Sequence, residues 1–299
     1  MKRPDLLKLY MIERFNIYLK RCRIKSFRSP GLLLLTLSLI LVGIFPDLLY
    51  AEDRHDNREL IIAAASDLNL ALPEIVKGFK ESGHEVEVKV LFGSSGNLAS
   101  QIINGAPFDI FLSASPIYIE QLDSAGAVIA GSKSFFAIGR IVLWVPKASR
   151  IDIDVSGIKG ILDPSVKKIA IANPQHAPYG RAAVEAMKQL GVYEGVKERL
   201  IFGENISQAA QFIQSGAADI GIIALSIALS PKMKSIGRFW LIPEGSYNRI
   251  EQWAAVIKRS NNVRLAEVFI GYLSGEEGRR ILSEFGFLIP NDKNDKRSR

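Results

Sequence analysis

Cysteine is almost absent from this chain: Cys22 is the only one in 299 residues. A fold stapled by disulfides is thereby excluded, as is a metal site built on thiolates. Histidine is nearly as scarce, since His55, His84 and His176 are far apart and none has a partner at metal-ligand spacing. The apolar run Gly31–Phe45 has only 15 residues, short of the roughly 20 that a membrane-spanning helix needs. A net excess of basic charge is missing from the body of the chain. Of the net charge of +7, residues 1–51 carry +6, which leaves +1 for residues 52–299. So weak a balance gives no basic face for nucleic acid, and a nucleic-acid partner is not expected.

What is present begins with a leader. A basic stretch precedes Gly31–Phe45 and PDLLYA follows it, the layout of an export signal occupying residues 1–51 and cleaved after Ala51. Cys22 lies before the apolar run, whereas a lipid-attachment cysteine would follow it. The expected product is a soluble, cysteine-free body in a bacterial periplasm, stabilised by its hydrophobic core. The tail NDKNDKRSR, residues 291–299, reads as disordered and solvated.

Between these ends, short apolar runs alternate with helical patterns, which means α/β layers. ELIIAAAS, EVEVKVLFG, FDIFLSAS and the segments 140–146, 167–174, 218–225, 238–243 and 252–259 read as strands, and 263–274 and 276–286 as helices. QIINGAPFDIFLSAS (101–115) and FIQSGAADIGIIALS (212–226) share a helix end, a Gly turn, an acidic residue, an apolar strand and a small polar ending. Such a weak repeat suits two lobes of one plan whose strand ends face each other across a cleft.

Ligands of α/β folds gather where strands end and helices begin, because the first helical turn offers unpaired N–H groups and a positive dipole end. Four such starts stand out. Ser66 follows ELIIAAA as a candidate cap, with Asp67 suited to the helix dipole and Pro73 kinking or delaying the helix. Ser95 is the natural cap after VLFGS, beside Gly96. Tyr179-Gly180 closes the turn after IANPQHAP. Asn205 caps Ile206 and its successors, with Gln208 placed for a capping box. None of the four carries Lys or Arg, and GSSGN is neither a phosphate-binding P-loop nor a nucleophile elbow.

Hydroxyls and helix N-termini without a cation suit a small, fully deprotonated anion. A carboxylate acceptor such as Asp67 would suit a protonated phosphate instead. Sulfate, molybdate and tungstate all remain open on these grounds. A serine hydrolase using His176 as base is the rival from another class.

From about residue 59 to 290 the chain resembles the molybdate-binding periplasmic proteins of bacterial ABC importers. The likeness rests on IIAAASDL, VLFGSSGNLASQIINGAPFDIFLSAS, IANPQHAPYGRAA, DIGIIALS and GRRILSEFGFLIP, in that order. It implies a type II periplasmic binding protein, with two α/β lobes of mixed sheets, two crossover segments and an interlobe cleft. Lobe 1 is expected at 58–136 plus 253–290 and lobe 2 at 137–252, with crossovers near Ala137 and Trp253. The resemblance further implies hydroxyl and backbone donors from Ser66 and Ser95, and backbone donors from Tyr179 and Ile206. Some members carry a ligand-touching tyrosine where this chain has Ala224; others carry it where Tyr179 stands. The function implied is a monomeric, non-enzymatic receptor that needs no cofactor and no bare metal ion. It would hand molybdate or tungstate to a membrane permease driven by a cytoplasmic ATPase.

Overall fold

The computed structural model describes residues 59–290. The expected leader and tail lie outside them. Two five-stranded mixed sheets form the frame. The first contains β1 (Glu59–Ala65), β2 (Glu87–Gly93), β3 (Ile110–Ser113), β4 (Ser134–Gly139) and β10 (Ile250–Val256), in the order β2-β1-β3-β10-β4. The second contains β5 (Ile141–Pro146), β6 (Ile169–Ala172), β7 (Leu200–Gly203), β8 (Ile220–Ala224) and β9 (Gly237–Leu241), in the order β7-β6-β8-β5-β9.

The two sheets follow one plan. Each has three parallel strands, and an antiparallel fourth joins them to an antiparallel edge. The sequence repeat maps onto equivalent places, for β3 and β8 are the central strands. Each is preceded by a left-handed glycine, Gly105 at φ 94° and Gly216 at φ 75°, a backbone that glycine adopts without a Cβ penalty. The acidic residue of each repeat ties neighbouring backbone. Asp109 accepts from the Ile61 N–H (2.8 Å), and Asp219 from the Lys167 and Lys168 N–H groups (2.7 and 2.8 Å).

Strand composition follows position in the sheet. β6 and β8 are buried along their whole length and are correspondingly apolar, whereas the edge strand β2 exposes alternate residues of EVKVLFG. Around the strands pack α1 (Ala71–Glu81), α2 (Ser95–Ile103), α3 (Pro116–Ser124), α4 (Pro178–Gln189), α5 (Ile206–Gln214), α6 (Val263–Ser274) and α7 (Glu276–Glu284). In α1, Leu72, Ile75 and Phe79 face the core. Pro73 falls in the first turn, where no intrahelical bond is lost, and the chain passes through a 3-10 turn at Ser66–Leu68 beforehand. The delayed start is thus what the structure contains, rather than a kink. One hydrophobic core fills the second lobe, and two cover the opposite faces of the first sheet.

β4 and β7 were not among the strands read from the sequence. Both are edge strands, and β7 has only four residues. Ala137 and Trp253, the expected crossover positions, lie inside β4 and β10. The chain leaves the first sheet after Gly139, enters the second at Ile141, and returns between Leu241 and Ile250. Arg140 therefore sits at a passage between sheets, where its guanidinium donates twice to the Gly286 carbonyl (3.0 and 2.8 Å).

Candidate functional site

The turns and helix starts that follow parallel strands of both sheets converge on one small recess. Ser66, Ser95, Tyr179 and Ile206 all line it, together with Asp67 and Ser94. No Lys, Arg or His side chain is part of that lining. All four residues chosen from the sequence are thus brought together from separate helix starts.

Two of the local expectations need correction. Ser66 is not a side-chain cap: Ala65 holds the cap position, and no side chain there accepts from the turn. Nor is Ser95 the cap of α2, because Ser94 occupies that place and makes no capping bond either. The cause is shared, since each hydroxyl is used elsewhere or kept for the recess. Ser95 Oγ accepts from the Ala114 N–H at 3.0 Å, and Ser94 Oγ pairs with His176 Nδ1 at 2.9 Å. Ser66 is engaged through its carbonyl, which accepts from Ser207 Oγ, and its own Oγ makes no hydrogen bond among the described residues.

The other two starts leave one amide each. In α4 the first residue is Pro178, which has no N–H, and the Gly180 and Arg181 amides donate to Ala177 O (3.0 and 3.2 Å). The Tyr179 N–H is what remains. In α5 the Asn205 side chain caps as expected, taking the Ser207 and Gln208 N–H groups at 3.0 and 3.1 Å. That leaves the Ile206 N–H. The Gln208 carboxamide accepts from Glu204 N, one residue earlier than a capping box requires. These amides sit at the positive ends of helices of 12 and 9 residues, where an anion is stabilised.

The Tyr179 hydroxyl is turned away from ligand duty. It donates to Asp67 Oδ2 at 2.8 Å, and Gln252 Nε2 donates to the same oxygen at 2.9 Å. Asp67 is fully buried. Its carboxyl is therefore not the solvated partner of a helix dipole that its position suggested. Burial pushes its pKa from 3.8 to about 7, against the lowering effect of the hydrogen bonds from Tyr179 and Gln252. Burial, followed by the Asp67 charge, holds the Tyr179 hydroxyl well above the ordinary tyrosine range.

Around the recess the lobes are joined by backbone and side-chain hydrogen bonds alike. Ser207 Oγ donates to Ser66 O (3.0 Å), Ser226 Oγ to Asp67 O (2.8 Å), and Gly96 N to His176 O (3.0 Å). Asn69 Nδ2 donates to Ser207 Oγ (3.0 Å), Arg181 to the Tyr118 hydroxyl (2.8 Å), and Asn97 to the Glu204 carboxylate. Sequence reasoning did not find Gln252, Ser207 or Ser226. Ser207 and Ser226 reach the Ser66–Asp67 turn from the other lobe and Gln252 from β10 of the same sheet, and no local spacing marks any of them.

Comparison with known proteins agrees with this architecture. Residues 60–288 match the family described as bacterial extracellular solute-binding protein. The chain is similar to the molybdate-binding protein ModA of Azotobacter vinelandii, with 34% identity over 77% of this chain and 89% of that one. It is likewise similar to ModA of Rhodobacter capsulatus, with 35% identity over 77% and 88%. The solved structure of the Azotobacter vinelandii periplasmic molybdate-binding protein superposes with a TM-score of 0.72 at 33% identity, covering 78% of this chain and 100% of that one. With two mixed α/β lobes facing across a cleft, the chain belongs to the bacterial extracellular solute-binding proteins, in the group of the molybdate-binding ModA proteins.

Proposed function

We propose that this protein is a non-enzymatic periplasmic receptor that captures molybdate or tungstate and delivers it to the permease of an ABC importer, powered by a cytoplasmic ATPase. It works as a monomer, reaches the periplasm through its leader, and needs neither cofactor nor bare cation. Lobe 1 comprises 58–136 with 253–290 and lobe 2 comprises 137–252, adjusted by the few residues that β4 and β10 extend past these limits.

The observation that carries the proposal is the convergence of Ser66, Ser95 and the free amides of Tyr179 and Ile206 on one recess without a cationic side chain. Hydroxyls and helix dipoles stabilise a dianion by charge-assisted hydrogen bonds. Of the Asp67 carboxyl, Oδ2 is occupied by Tyr179 and Gln252 while Oδ1 is buried and unpartnered, so the carboxyl does not by itself exclude a protonated phosphate. Donors fixed on rigid helix starts cannot contract around sulfate and keep their hydrogen-bond geometry, so cavity size selects the larger ions.

Calorimetric titration of the 52–299 body with molybdate, tungstate, sulfate and phosphate tests this. Tight one-to-one binding of the first two with no heat from the others is the expected result. Binding of sulfate alone would keep the cradle and change its cargo. A second reading, hydrolysis, is favoured only by the Ser94–His176 contact with Glu204 Oε2 3.9 Å from His176 Nε2. Turnover of a simple ester that disappears in His176→Ala would support it.

A further inference from the structure

Asp67 sits between the lobes and has no salt-bridge partner among the described residues. Its Oδ2 accepts from Tyr179 of α4 and from Gln252 of β10, so one oxygen of a lobe 1 carboxyl holds the first turn of a lobe 2 helix. The remaining atoms of this cluster are left over. Asp67 Oδ1 and Gln252 Oε1 are both buried and both lack a hydrogen-bond partner. Two orphaned acceptors in one buried cluster are costly, and they share one remedy: a proton.

We propose that Asp67 is a proton-bearing positioning residue, so that closing the lobes over the oxyanion takes one proton from solvent onto its carboxyl. The neutral acid then provides through Oδ1 the donor that the Asp67–Gln252 cluster lacks, while Oδ2 keeps its bond to Tyr179. Tyr179 is thereby held where its N–H meets the ligand. This rests on the capture reading above and adds a proton to it.

Electrostatics points the same way. Asp67 lines the recess, which on the capture reading receives a doubly charged anion, and two like charges at close range in a buried site disfavour the ionised carboxylate. The groups facing it are Tyr179 from α4, Gln252 from β10, and Ser226 of the short helix Leu225–Ala228, whose hydroxyl binds the Asp67 carbonyl. Tyr247 adds its influence behind Tyr179. Tyr179 and Tyr247 are titratable, but burial raises the pKa of both, so both stay neutral. Among the described residues no Lys, Arg or His hydrogen-bonds the Asp67 side chain. The raised Asp67 pKa, about 7 even without the ligand's charge, agrees with this geometry.

The sign of the effect is fixed. With the lobes apart, water reaches the carboxyl and its pKa is that of an ordinary aspartate, roughly 4. Closure therefore takes up a proton between that value and the closed-state one. Binding is tightest at the acid end, weakens by about tenfold per pH unit between pH 5 and 7, and levels above the closed-state pKa.

The test is calorimetric titration with micromolar molybdate in buffers of different ionisation enthalpy. The wild-type protein is expected to take up close to one proton per anion at pH 5.5, with the uptake falling towards zero at alkaline pH. Asp67→Asn, which keeps an acceptor for Tyr179 and places an amide donor beside it, is expected to bind with no proton uptake and a flat pH profile. Wild-type binding that is flat from pH 5 to 8 would overturn the proposal while leaving the capture reading intact, and the wild-type profile decides this even if the variant fails to fold. Uptake that persists in Asp67→Asn and vanishes in His176→Gln would assign the proton to His176 and also overturn it. Absence of molybdate binding at every pH would overturn both readings together.

Discussion

Ser94 Oγ and His176 Nδ1 are 2.9 Å apart, and they belong to opposite lobes. The contact closes one rim of the recess, and the Gly96 N–H to His176 carbonyl bond reinforces it. His176→Ala removes the side-chain contact and keeps the backbone one. Release of molybdate should therefore accelerate by roughly three- to tenfold, the equivalent of one hydrogen bond of about 1 kcal/mol, with little change in the association rate. Stopped-flow tryptophan fluorescence measures both.

The two recess serines should behave differently on truncation. Ser66 meets the protein through its carbonyl, and its hydroxyl makes no hydrogen bond among the described residues, so Ser66→Ala should cost affinity alone, about 1.5–3 kcal/mol for a hydrogen bond to an ion, or ten- to a hundredfold. Ser95 also accepts from the buried Ala114 N–H. Ser95→Ala should therefore weaken binding and in addition lower the stability of the unliganded protein by about 1–3 kcal/mol. Titration with molybdate and urea unfolding of both variants would separate the two effects, and equal stability of the pair would disprove the second role of Ser95.

Much of this site was legible because its parts are local. A small polar residue after an apolar strand, with a glycine or proline beside it, marks a helix start wherever it falls, and all four starts met in space. The repeat of 101–115 in 212–226 correctly pointed to two lobes of one plan, since the same helix, turn and strand occupy equivalent places in both sheets. What was not legible depends on tertiary pairing. The division of labour between Ser94 and Ser95 follows from His176 approaching across the cleft. The burial of Asp67 follows from Tyr179 and Gln252, which are 112 and 185 residues away in sequence. The edge strands β4 and β7 escaped because short or singly paired strands carry little pattern of their own.

Asp67 makes a prediction for stability as well as binding. In the molybdate-saturated protein its pKa lies above that of the unfolded chain, near 3.8 without perturbation. A raised pKa stabilises fully below the unfolded value and loses that contribution as pH rises through the folded one. The melting temperature of loaded protein should therefore fall as pH rises from about 4 through 7 and level only above the ligand-raised pKa, by about 1.4 kcal/mol of stability per unit. Differential scanning calorimetry across this range checks it, and a melting temperature that rises through the same window would contradict it.

Gly96 separates closure from folding. It is the second residue of α2, and a Cβ built there would lie 2.8 Å from the backbone oxygen of His176, 2.8 Å from the Tyr118 hydroxyl and 2.9 Å from His176 Cβ. Tyr118 belongs to the same lobe and ends in a flexible side chain that can move. The His176 carbonyl belongs to the other lobe and cannot yield without opening the cleft. Gly96→Ala should therefore leave the open, unliganded protein as stable as before, or slightly more so, because alanine is favoured over glycine in a helix by about 1 kcal/mol. Its affinity for molybdate should nonetheless fall by tenfold or more, since the closed state loses both the room and the Gly96 N–H to His176 bond. Gly180→Ala supplies the contrast. There a Cβ would lie 2.1 Å from the Ala172 carbonyl oxygen of its own lobe, so the fold itself should suffer. Thermal unfolding of the two unliganded variants, followed by molybdate titration of the folded ones, distinguishes a block to closure from damage to a lobe. A Gly96→Ala protein that binds as tightly as wild type would show that the ligand is held without the lobes meeting at this point.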